Sequence, residues 1–147
     1  MMAEKACELG VARFQPVVTR RTVVDRVNLE RLRVQMIEAA EQCGRTALPE
    51  IREPARLEAI LSGWPESRQL YFADETGGSP LWEEAKPGPS AILIGPEGGF
   101  ATEEQELLRS HHAVRAVSLG PRILRAETAA IAALSIWMAR AGDWGRA

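Results

Sequence analysis

Hydrophobic positions recur along the chain with two different periods, and their alternation predicts helices interleaved with strands. Leu29, Leu32, Met36, Ala39, Ala40 and Cys43 fall at three- and four-residue spacing. That spacing predicts a helix over Leu29–Cys43, capped by Asn28 and ended by Gly44. An earlier helix over residues 2–9 closes at Gly10, a residue suited to a left-handed C-terminal cap. Residues 11–18 read as a strand in which Pro16 marks an edge or irregular position. Residues 19–27 read as an arginine-rich connection. A short extended piece follows at 49–51, and Pro54 opens a helix that ends near Ser62 and Gly63.

The second half is more regular. Residues 68–73 (RQLYFA) and 91–94 (AILI) read as strands, the latter too apolar to be exposed on either face. Thr102 caps a helix through Leu108, with Gln105 completing a capping box. Residues 113–119 form a third strand and 128–140 a last helix. This order predicts one α/β domain with a largely parallel sheet. The stretch ETAAIAALSIWMA is apolar nearly all round, so its helix is expected to be buried on more than one side, in the core or against a second subunit.

Composition narrows the class. A chain of 147 residues fits one domain, able to bury about 70% of its unfolded surface without staples. The 46% hydrophobic content excludes a disordered chain. No apolar run approaches the ~20 residues of a membrane span, and no secretory leader is expected. Cys7 and Cys43, far apart, read as reduced thiols of a cytoplasmic protein. The net charge of −2 hides an uneven distribution. Arginines 13, 20, 21, 26, 31 and 33 face only Asp25 and Glu30 over that stretch, a local basic face compatible with a polyanion.

Two glycine-containing loops follow apolar strands. In IGPEGGF (94–100) three glycines let backbone approach a ligand closely, and the loop runs into a helix start. An ordinary strand-to-helix turn is the plainer reading. In LGPRILRAETA (119–129), Arg122, Arg125 and Glu127 stand beside Gly120 and Pro121, where a solvated ion pair is the plainer reading. Ligands collect at the carboxyl ends of strands in open α/β sheets, so both loops can line one pocket. There is no Gly-Lys-Ser/Thr phosphate loop, no G-x-G-x-x-G fingerprint and no G-x-S-x-G elbow. His111 and His112 are adjacent and cannot share a helix face as metal ligands, so no metal is expected.

The stretches LIGPEGGF and SLGPRILRAETAA, with EKACELGV at 4–11, the Arg21 region and AAEQCGR at 39–45, resemble the ribosomal RNA small-subunit methyltransferase E family. The resemblance implies a SPOUT-type α/β trefoil knot with a largely parallel sheet flanked by helices. It implies S-adenosylmethionine as cofactor, methyl transfer to N3 of a uridine in 16S ribosomal RNA of the small subunit, and a homodimer with the cofactor near the interface. Cofactor contacts carried over by motif are Phe72, Ala73, Gly95, Pro96, Glu97, Gly98, Leu119, Gly120, Ile123, Leu124, Arg125 and Thr128. Arg125 is the first catalytic candidate, with Arg21 and Arg45 behind it and Glu97 or Glu127 as proton acceptor. Family members carry an N-terminal barrel, similar to PUA domains, ahead of the helix that holds ELGV. This chain starts inside that helix, so residues 1–147 are expected to be the methyltransferase domain without the barrel and without its first strand. Two other readings stand beside this one: a dimeric cofactor-binding fragment that does not engage ribosomal RNA, and a SPOUT enzyme acting on transfer RNA.

Overall fold

The structure is a computed structural model that describes residues 1–22 and 27–146. Asp25 and Arg26 of the basic stretch, with part of the 19–27 connection, lie outside the described residues. The central sheet holds four strands in the order β6 (Ser79–Pro80), β8 (Val114–Ser118), β5 (Gln69–Ala73) and β7 (Ser90–Leu93), and every neighbouring pair is parallel. The expected strands at 68–73, 91–94 and 113–119 thus appear within a residue or two of their predicted ends.

Alternation along β5 explains the layering. Leu70 and Phe72 point to one face, where Leu57 and Leu61 of α3 (Leu57–Ser62) and Leu108 of α5 (Thr102–Ser110) meet them. Tyr71 points to the other face, against Leu81 of α4 (Leu81–Glu84) and Ala133 of α6 (Ala126–Arg140). A second, smaller core joins Ala3 and Cys7 of α1 (Met2–Glu8) to Met36, Ala39 and Ala40 of α2 (Leu29–Cys43). As expected, Asn28 caps α2 by accepting from the Arg31 N–H at 3.0 Å, and Gly44 ends it at φ 78°.

Four expectations are corrected. The strand over 11–18 is two short pieces, β1 (Arg13–Phe14) and β2 (Val17–Val18), paired in parallel with β3 (Glu50–Ile51) and β4 (Ala55–Arg56). Pro16 separates them because it has no N–H to give a ladder; its carbonyl instead accepts from Ala55. Pro54 does not open a helix: residues 55–56 are strand and α3 starts at Leu57. The N-cap of α5 is Ala101, not Thr102, and Glu104, not Gln105, reaches back to the Ala101 N–H at 3.0 Å. The last helix starts two residues early, at Ala126, with Arg125 at its N-cap.

Candidate functional site

Strands β7, β5 and β8 are parallel neighbours, so the segments leaving their carboxyl ends must gather at one edge of the sheet. Residues 72–76, 94–100 and 119–126 meet there around an open cleft of about 370 Å³. That size lies in the range of about 300–1,000 Å³ usual for small-molecule sites.

Local sequence shapes each wall. In the 95–99 turn the Gly99 N–H donates to the Pro96 carbonyl at 2.8 Å, and Gly99 holds φ 73°. Gly95 is required for a different reason. A Cβ there would stand 2.7 Å from Cε2 of Phe100, whose buried ring meets Phe72 edge-on at 5.3 Å. On the third wall, Gly120 holds φ 112° and its N–H donates to Ser118 Oγ at 3.1 Å. Ile123 is 79% exposed at the cleft, an apolar side chain that the described residues leave largely uncovered.

Ten of the twelve residues singled out for a cofactor line this cleft; Gly98 and Thr128 do not. Gly98 turns its carbonyl outward, where Arg21 Nη1 donates to it at 3.0 Å. Thr128 is exposed in the first turn of α6. Among the catalytic candidates, Arg125 and Glu97 line the cleft and Arg21 sits on the outer side of the 95–99 turn. Arg45 is elsewhere: its Nη1 donates to the carbonyls of Cys7 (2.8 Å) and Val11 (3.0 Å) and closes the end of α1. Glu127 borders a small hollow between α1 and α6.

Sequence reasoning passed over Asp74, Thr76 and Gln105 as site residues, all of which line the cleft, whereas Arg122, noted in the 119–129 loop, lines it as that loop does. Asp74 is buried at the end of β5. One carboxylate oxygen accepts from the Thr76 N–H (2.9 Å) and hydroxyl (2.8 Å), and the other from Arg109 Nη2 (2.7 Å) and Nε (3.1 Å). Burial is the largest single influence and pushes its carboxyl up. The bonds from Arg109 and Thr76 together outweigh it and hold the carboxyl below the usual range. The available signal was Asp-x-Thr directly after a strand, a pattern that folds as an Asx turn. Among the described residues no cluster of His, Cys, Asp and Glu is arranged to hold a metal ion.

The fold and cleft define an open parallel α/β domain that receives a small ligand at its strand ends. The RNA methyltransferase domain model matches residues 1–138, and the chain belongs to that family. It is 35% identical over 135 residues to the ribosomal RNA small subunit methyltransferase E of Rickettsia conorii, covering 88% of this chain and 54% of that protein. A crystal structure of the enzyme of that name from Neisseria gonorrhoeae, bound to S-adenosyl methionine, superposes with a TM-score of 0.90 at 30% identity, over 97% of this chain and 61% of that one. A Legionella pneumophila structure, described as a methyltransferase with the cofactor SAM, has a TM-score of 0.82 at 37% identity, over 94% and 59%. The chain therefore spans little more than half the length of the relatives it matches.

Proposed function

We propose that this domain transfers a methyl group from S-adenosylmethionine to N3 of a uridine in 16S ribosomal RNA, acting in the bacterial cytoplasm on the small ribosomal subunit. The observation that supports this best is the convergence of ten motif residues from three separate loops on one cleft of ligand size. The donor set suits the cofactor. Leu119, Ile123 and Leu124 offer an apolar slot for an adenine, and Gly95 and Gly120 bring backbone close where side chains would block it. The cofactor carries no phosphate, so the missing phosphate-loop lysine is no objection.

When bound, the cofactor supplies an electrophilic methyl on a sulfonium sulfur. The chain's own residues then serve positioning and electrostatics. The uridine N3 loses its proton as the new N–C bond forms and the C–S bond breaks. Arg125, exposed at the cleft, favours the imide anion that develops on the base. Glu97, exposed and lining the same cleft, takes the proton in this reading, and Glu127, which borders the hollow between α1 and α6, does not. Arg45, tied to the end of α1, serves the fold in this reading.

Tritiated S-adenosylmethionine and small-subunit particles lacking the modification test the reading, with the position mapped by primer extension. A methyl on N3 blocks base pairing, so a stop at one uridine is the expected result. Replacing Arg125 with Ala should abolish transfer while calorimetric cofactor affinity stays within a few-fold; equal loss of both would assign Arg125 to the cofactor instead. Cofactor binding without transfer to any ribosomal RNA would favour the binding-only reading.

A further inference from the structure

Glu104 is a carboxylate only 2% exposed, and it stands one helical turn behind the loop that walls the cleft. A buried charge is retained only where donors compensate its lost hydration. Its two oxygens divide their donors between distant parts of the chain. Oε1 accepts from the Ala101 N–H at 3.0 Å, at the end of the 94–100 loop. Oε2 accepts from the Arg20 N–H at 3.2 Å, a residue eighty-four positions earlier. Arg20 and Arg21 form the corner of a tight turn. The Thr22 N–H donates to the Thr19 carbonyl at 3.3 Å, and the Thr19 N–H donates to Thr22 Oγ1 at 2.9 Å. Glu104 thus ties that turn to the start of α5, and a separate bond, from Arg21 Nη1 to the Gly98 carbonyl, ties it to the 95–99 turn itself. The Arg20–Glu103 ion pair at 3.2 Å is exposed on both sides and adds little.

We propose that Glu104 is a positioning residue. It locks the Arg20–Arg21 corner onto the start of α5, where the loop that walls the cleft ends, so that the arginine presented to an RNA phosphate and the wall holding the methyl donor keep one fixed relation. The inference rests on the methyltransferase reading. Removing Glu104 loosens the corner that carries Arg21, and the two groups it bonds, the N–H of Arg20 and of Ala101, belong to residues that do not line the cleft. RNA binding is thereby weakened while cofactor binding is spared.

Two substitutions isolate the link. Glu104→Gln keeps the shape but turns one acceptor oxygen into a donor that must face an N–H. Arg20→Pro removes the N–H itself at a turn position where proline is favoured, and Arg20→Ala is its control because it keeps that N–H. Transfer from tritiated S-adenosylmethionine to 16S ribosomal RNA is measured for each, with calorimetric cofactor affinity and filter retention of the RNA, and amide exchange at residue 20 is followed in the parent, Glu104→Gln and Arg20→Ala, which keep that N–H. Glu104→Gln and Arg20→Pro should each raise KM for the RNA roughly tenfold, the size of one lost charge-assisted hydrogen bond. Cofactor affinity and kcat should stay within about twofold, and Arg20→Pro should exceed Arg20→Ala, which shares the loss of the arginine side chain, by that same factor in KM. In an Arg21→Ala background Glu104→Gln should cost nothing further, since it acts through Arg21. Multiplying effects in that double variant, or Arg20→Pro matching Arg20→Ala, would overturn the proposal. If the parent transfers no methyl, the functional reading fails. RNA retention and amide exchange then judge the link, and unchanged values in Glu104→Gln would reject it.

Discussion

Gly95 shows how one missing Cβ shapes the cleft. Phe100 is 5% exposed and packed edge-on against Phe72, so its ring can yield only by disturbing that packing. A methyl group 2.7 Å from its Cε2 forces either the ring or the loop to move. Overpacking of this kind costs about 1–3 kcal/mol. Gly95→Ala should therefore lower Tm and weaken calorimetric binding of S-adenosylmethionine by about tenfold or more. Unchanged affinity would mean that the loop does not define the cofactor wall. The need for glycine was readable from the composition of 94–100, but its reason was not. The residue that requires it is five positions on and meets it only because the loop folds back. Glu104 was hidden for a related reason: among Glu103 and Glu106 it reads as one more acid suited to a helix start. Only the docking of residues 19–22 distinguishes it.

At the scale of elements, the helical spacing of α2 and the apolar runs of α6, β5, β7 and β8 extended over enough residues to be read directly. The segment between β5 and β7 did not. Gly77, Gly78, Pro80, Pro87, Gly88 and Pro89 break any pattern there, and β6 and α4 are held by tertiary contacts such as Leu81 against Tyr71. The Asp74–Arg109 pair joins two elements, tying the end of β5 to the last turn of α5. Its pH dependence has a definite sign. The folded carboxyl titrates below the unfolded value of 3.8, so the pair contributes fully above that value and is lost as pH falls through the folded one. Arg109→Ala leaves burial as the dominant influence on Asp74 and should destabilise the domain by about 1–3 kcal/mol near neutral pH. The gap from the parent should shrink as pH drops from about 5 to 3 in urea unfolding. Glu50, held low chiefly by its bond from Arg13, acts equally in both proteins and cancels in the difference. A gap that stays constant with pH would show that the loss comes from packing alone.

At the scale of the whole molecule, α6 carries more apolar surface than the single chain covers. Ala129, Ala130, Ala133 and Met138 are buried, whereas Ile131 is 39% exposed and Leu134 borders the hollow shared with Met1, Met2 and Ala6. Met1 itself is 66% exposed beside them. A helix that reads as apolar all round yet leaves one flank open suits a second copy of the chain, joined through an isologous patch. A stable dimer of this kind buries about 1,200–2,000 Å² in total, enough for the α1 and α6 flanks to form its centre. Light scattering at micromolar concentration should therefore return twice the chain mass. Ile131→Glu places a charge in the middle of that patch, in a helix whose other flank holds the core contacts. It should shift the protein to monomer while circular dichroism stays unchanged. A parent protein that scatters as a monomer would overturn the dimer. If the cleft draws on the second subunit, methyl transfer should fall in parallel with the dimer fraction. Transfer that persists in the monomer would confine the reaction to one chain.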